Sequence, residues 1–87
     1  MSLSDVDVAV RDQIRELVAD IVERDVDEVG WTDNFWDDLG ADSLQAIEIL
    51  SGLERRFGIT IEQESLARLQ DLASTHEVVM ELLRGKG

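Results

Sequence analysis

The 87-residue sequence contains no cysteine, no proline and a single histidine. Without cysteine, disulfides and thiolate metal sites are excluded, and a cytoplasmic address fits the chain better than a secreted one. One imidazole, His76, cannot complete a metal site that lacks thiolates, because such sites draw on three or four protein ligands. His76 therefore reads as a surface or half-buried helix residue. No proline and six scattered glycines leave nothing resembling a linker. No apolar run approaches the ~20 residues of a membrane span, and the N-terminus lacks a basic-then-apolar signal segment. Neither a glycine-rich phosphate loop nor a nucleophile elbow occurs. Basic residues are scarce as well: eight Lys and Arg stand against 20 Asp and Glu, for a net charge of −12. Such a chain repels phosphate backbones and anionic lipid, so neither nucleic acid nor a membrane is an expected partner. Basic protein surfaces are.

What remains is a chain 44% apolar, too hydrophobic for an acidic disordered tail. Residues 1–87 are expected to form one domain with an ordered core over about 5–84, burying roughly 60–68% of the unfolded surface. Its periodicity is helical. Val10, Ile14, Leu17, Val18 and Ile21 form one stripe, predicting a helix over Asp5–Arg24 with Ser4 as N-cap and acid-before-base pairs Asp7–Arg11 and Asp20–Arg24. Leu44, Ile47, Leu50, Leu53 and Phe57 predict a second helix over Ser43–Phe57, stopped by Gly58. Ile59-Thr60-Ile61 alternates like a strand but has no pairing partner, and reads as extended chain. A short third helix is expected over Glu62–Leu69. A last one should end near Arg84, capped by Asp71 or by a Ser74–Glu77 capping box, with Leu72, Val79, Leu82 and Leu83 buried. The fold class is thus all-α: a small four-helix bundle with a long loop between helices one and two.

That loop, residues 25–41, is unusual in so small a domain and more often functional than idle. Trp31, Phe35, Trp36 and Leu39 could pin it to the core. Asp25, Asp27, Gly30 and Asp33 match positions 1, 3, 6 and 9 of a calcium-binding EF-hand loop. Positions 5 and 12, however, hold Val29 and Trp36, so the bidentate carboxylate is missing and no specific metal site is expected. The informative run is Asp37-Asp38-Leu39-Gly40-Ala41-Asp42-Ser43-Leu44, which sets a serine where a loop turns into an amphipathic helix. Asp42 or Ser43 could simply cap that helix. The hydroxyl would also sit at the positive helix end, a favourable place to attach a phosphate. No base adjoins Ser43 in sequence, so modification by a second protein fits better than self-activation. Between Arg24 and Arg55 there is no Lys or Arg, while nine acids fall in that interval.

The run DLGADSL followed by QAIEILSGLERRFGI resembles the acyl carrier protein family, and the layout of the other helices extends the match over about residues 5–84. The resemblance implies a four-helix carrier domain that is not itself an enzyme. It implies that Ser43 receives 4′-phosphopantetheine from coenzyme A through a separate phosphopantetheinyl transferase. The thiol of that arm would carry an acyl or aminoacyl group as a thioester. Asp42 would be read by the transferase, Leu44 would make apolar partner contact, and Glu48 with Glu54 would meet basic surfaces of synthase, acyltransferase or adenylating enzymes. Val10, Ile14, Leu17, Phe35, Leu39, Ile47, Leu50, Leu53, Ile61, Leu69 and Leu72 would form the core. A monomer is expected.

Three features depart from the fatty-acid-synthesis pattern: Gln45 after the motif, Ser51 on helix two, and Arg55-Arg56. Phe35-Trp36 is similar to the aromatic pair of peptidyl carrier domains. The expectation is a discrete carrier in polyketide or other specialised biosynthesis. The alternatives are an aminoacyl carrier of nonribosomal-peptide type and an unmodified acidic interaction module.

Overall fold

A computed structural model describes residues 5–86, and within them four α-helices and no strand. The helices are α1 (Asp5–Ile21), α2 (Ser43–Phe57), α3 (Gln63–Leu66) and α4 (Leu72–Lys86), with a 3₁₀ turn at Val26–Glu28. The all-α expectation with a long first connection and a short third helix is met. Ser4, expected as the first N-cap, lies outside the described residues.

Helix α1 stops three residues short of its expected end. Glu23 takes a left-handed conformation (φ 59°). This lets the Arg24 N–H donate to the Ala19 carbonyl (2.9 Å) and the Glu23 N–H to that of Asp20 (3.3 Å). That is a Schellman ending without its usual glycine, and a non-glycine residue there costs on the order of 1–2 kcal/mol. Arg24 thus lies beyond the helix, and the expected i,i+4 geometry with Asp20 does not form. Helix α2 begins and ends as expected, with Gly58 left-handed (φ 64°) as its stop.

The core gathers Val10, Ile14 and Val18 of α1, Ile49 and Leu53 of α2, and Leu72, Val78 and Val79 of α4 around Phe35. Helix α1 packs against both α2 and α4. At the α1–α2 contact Gly52 leaves room for Leu17: a Cβ there would stand 2.8 Å from Leu17 Cδ1. The connection is pinned by Phe35 and Leu39, both buried, and by half-buried Trp31 and Trp36. Val29, not among the expected core residues, is also fully buried. The Ile59–Ile61 segment is extended, with both isoleucines buried.

Further expectations need correction or refinement. The α2 stripe is partly out of phase: Leu53 is buried as expected, but Ile47 is 55% exposed, and Ala46 and Ile49 face inward in its place. At α4, of the two caps offered, Asp71 is the one that forms, and its reciprocal partner is Ser74 rather than a Ser74–Glu77 box. The Ser74 N–H donates to Asp71 Oδ1 (2.8 Å), and the Asp71 N–H donates to Ser74 Oγ (3.2 Å). Helix α3 is also shorter than expected, and Leu82 and Leu83 are only partly buried.

His76 of α4 faces α1 and the connection. Its ring lies 5.9 Å from that of Trp31, centroid to centroid, and its Nε2 is 3.5 Å from Asp7 Oδ1. Nε2 is sealed from solvent without a hydrogen bond. Burial pushes the imidazole below its ordinary value of 6.5; Asp7 and Glu77 pull the other way, while Arg11 and Arg84 add to the depression. The folded state therefore binds this proton less readily than the unfolded chain. Its contribution to stability is complete above about pH 6.5 and fades as the pH falls below it. Thermal melts at about pH 7.5 and about pH 5.5 should show a smaller drop for His76→Gln than for the natural chain.

Candidate functional site

The head of α2 is built by a reciprocal cap. Asp42 is the N-cap: its Oδ1 accepts from the Gln45 N–H (2.8 Å), and Gln45 Oε1 accepts from the Asp42 N–H (3.1 Å). Gln45 does a second thing that no local pattern announces. Its Nε2 donates to the Ile21 carbonyl (3.2 Å), one of the acceptors left over at the end of α1. The head of α2 is thereby fastened to the tail of α1, 24 residues away in sequence.

Since Asp42 holds the capping position, Ser43 is the first helical residue and not the cap. Its side chain is exposed, and its hydroxyl bonds to no described residue. The Ser43 and Leu44 N–H groups are likewise without partners among the described residues, and they open toward solvent at the positive end of the helix dipole. A free primary hydroxyl beside uncommitted N–H donors suits a phosphodiester. The approach to the site is equally ordered. Asn34 Oδ1 accepts from the Trp36 and Asp37 N–H groups (both 2.9 Å), Asp38 Oδ2 accepts from the Asn34 N–H (2.8 Å), and Ala41 N–H donates to the Phe35 carbonyl (2.8 Å).

The structure brings Asp42, Ser43, Leu44 and Glu48 together at the exposed head and outer face of α2. Leu44 is 65% exposed, and with Ile47 it makes an apolar strip on that acidic face. Beside it opens a cleft of about 490 Å³ lined by Trp36, Ala41, Asp42, Ser43, Ala46, Ile47 and Leu66. Ile47, expected in the core, lines this cleft instead, together with Leu66, which no sequence pattern marks. The usable signal was that Leu44 and Ile47 stand three apart with Glu48 beside them, a hydrophobic pair on a charged helix face. Glu54 lies apart from this group. It is half-buried, with Oε2 accepting from the Ile61 N–H (2.8 Å), so it also holds the extended segment against α2.

The EF-like loop offers no convergent ligand set. Asp33 Oδ2 faces inward to accept from the Gly30 N–H (2.8 Å), and among the described residues no three acids or histidines gather as a metal site.

A family model described as phosphopantetheine attachment site matches residues 12–79. The chain belongs to the acyl carrier protein family. It is similar to polyketide-8 synthase acyl carrier protein 1 of Streptomyces avermitilis, at 47% identity over 75 residues covering 86% of this chain and 89% of that one. It is also similar to acyl carrier protein 2 of the same synthase, at 39% identity covering 79% of each. The acyl carrier protein of Petrotoga mobilis is 33% identical over 83% of this chain and 85% of its own. Members of the family are carriers and not catalysts, and they work through covalently attached 4′-phosphopantetheine. Transferases that install the group and synthases are their general partners. No described helix is long and apolar enough to cross a membrane.

The cap geometry separates Ser43 from its neighbour energetically. Asp42→Ala should cost about 0.5–2 kcal/mol in urea unfolding, as lost N-caps do. Ser43→Ala, which removes no protein hydrogen bond, should stay within about 0.5 kcal/mol of the parent.

Proposed function

We propose that this acyl carrier protein bears its 4′-phosphopantetheine on Ser43 and carries acyl intermediates of polyketide assembly as a single-domain monomer. The observation that supports the attachment site is the Ser43 hydroxyl itself: exposed, unbonded, and held at the first turn of α2 by the Asp42–Gln45 cap. The polyketide reading rests on the similarity to the two Streptomyces carriers. When bound, the arm supplies a terminal thiol that holds the acyl group as a thioester.

The chain's own residues present and steer. No described histidine, lysine or arginine bonds to Ser43, and the Asp42 carboxylate is occupied by the Gln45 N–H. Deprotonation of the hydroxyl is therefore left to a phosphopantetheinyl transferase. Leu44 and Ile47 form an apolar contact strip, and Asp42 and Glu48 surround it with negative charge that attracts basic surfaces. Glu54 adds charge to the same helix while anchored to Ile61. The open cleft beside Ser43 has Trp36 and Leu66 as walls, which suits the proximal part of a tethered cargo.

Incubation with coenzyme A, magnesium and a promiscuous transferase should add one phosphopantetheinyl group to the intact mass. Ser43→Ala should abolish that gain while Ser51→Ala and Ser65→Ala retain it; a gain persisting in Ser43→Ala would refute the assignment. Glu48→Lys should slow transfer at low salt, and the difference should shrink toward 1 M salt, where the screening length is about 3 Å.

A further inference from the structure

Among the described residues two arginines pair with carboxylates: Arg56 lies 4.0 Å from Glu16, and Arg68 pairs with Glu81 at 2.6 Å. Arg11 and Arg15 do not, and unlike Arg24, Arg55 and Arg84, which also form no such pair, they are half-buried rather than exposed. They stand one turn apart on α1. Each is held by something uncharged instead. The Arg11 guanidinium lies over the Trp31 ring, 3.9 Å from its centroid. Arg15 Nε donates to the Val29 carbonyl (3.1 Å), leaving its terminal nitrogens uncommitted. Together with Val8, Asp12 and Trp31 they line a recess of about 170 Å³.

We propose that this recess is a second docking point, which takes the carboxylate of an Asp or Glu side chain from a partner protein. Four observations favour that occupant. Guanidinium groups match a carboxylate through paired N–H donors, and here both are oriented beforehand, so little side-chain freedom is lost on binding. The recess is smaller than the roughly 300–1,000 Å³ of small-molecule pockets and has room for one side chain. Exposed Val8 and the half-buried Trp31 ring beside the arginines offer apolar contact to a residue flanking the acid. Two arginines against Asp12 leave the lining net positive by one, which complements a singly charged carboxylate. Asp7, one turn before Arg11 on α1, lies outside this lining and stands 3.5 Å from His76 Nε2; acids beyond about 8 Å are largely screened at physiological salt.

The test is an NMR titration of the full ¹⁵N-labelled chain with the capped dipeptide acetyl-Glu-Leu-amide, at constant ionic strength. Saturable shifts are expected at the Trp31 indole N–H and the Arg15 Nε–H, with acetate at least about tenfold weaker because it brings no apolar neighbour. Arg11→Gln with Arg15→Gln should remove the response. Since that pair could loosen α1, Asp12→Asn provides the complementary arm: it breaks no structural contact and should tighten binding about three- to tenfold. Shifts that fail to saturate, acetate as effective as the dipeptide (a small-anion site only), or unchanged affinity in Asp12→Asn would each overturn the proposal. None of these readings involves Ser43, so the proposed attachment site stands or falls separately.

Discussion

Burial of Phe35 is the constraint on which the arrangement depends. Twenty-one residues separate the end of α1 from the start of α2, and fixing that much backbone costs about 1–2 kcal/mol for each residue. Phe35 offsets part of that cost by placing a whole aromatic side chain at the centre of the helices. Its main chain is committed too. The Phe35 N–H donates to the Gln70 carbonyl and its own carbonyl accepts from Ala41, while Trp31 accepts from the Ala73 N–H. The connection is thus bonded to the α3–α4 corner before it reaches α2. Ser43 consequently sits on a rigid head, though it lies one residue from a loop.

Much of this was legible from local chemistry. The bounds of α2, the Gly58 stop and the anchoring of Phe35 and Leu39 follow from caps, glycine and hydrophobic spacing. What was illegible depended on distance or on an atypical residue. Glu23 ends α1 in a conformation that glycine usually signals, so nothing in the sequence marked the stop. Gln45 looked only like a departure from a family pattern, because its second bond reaches Ile21 across the fold. Glu54 looked like a surface acid, because Ile61 returns to it only after the chain reverses at Gly58. The phase error in α2 has a different cause. Ala46 contributes little to a hydrophobic pattern, whereas the exposed Leu44 and Ile47 contribute strongly. A helix that leaves apolar residues on its exposed face imitates one that buries them.

Charge is distributed by role. The acids of α2 and its approach surround an apolar strip and an open hydroxyl, whereas the arginines of α1 cover a recess beside Trp31. Three acids of the first connection are also spent on backbone geometry. Asp33, Asp38 and Glu28 each accept a main-chain N–H within four residues. The connection is acidic in part because turns need acceptors.

Helix α3 carries a consequence of its own. It is a single turn with no buried residue, attached to the core through partly buried Leu66. An element with so little burial belongs to the low end of the opening free energies within a native protein. Its amides should exchange with solvent through local excursions that leave α1, α2 and α4 closed. Because Leu66 is also a wall of the cleft beside Ser43, those excursions change the width of the cleft without disturbing the core. The cleft thus varies in width while Ser43, on α2, stays still.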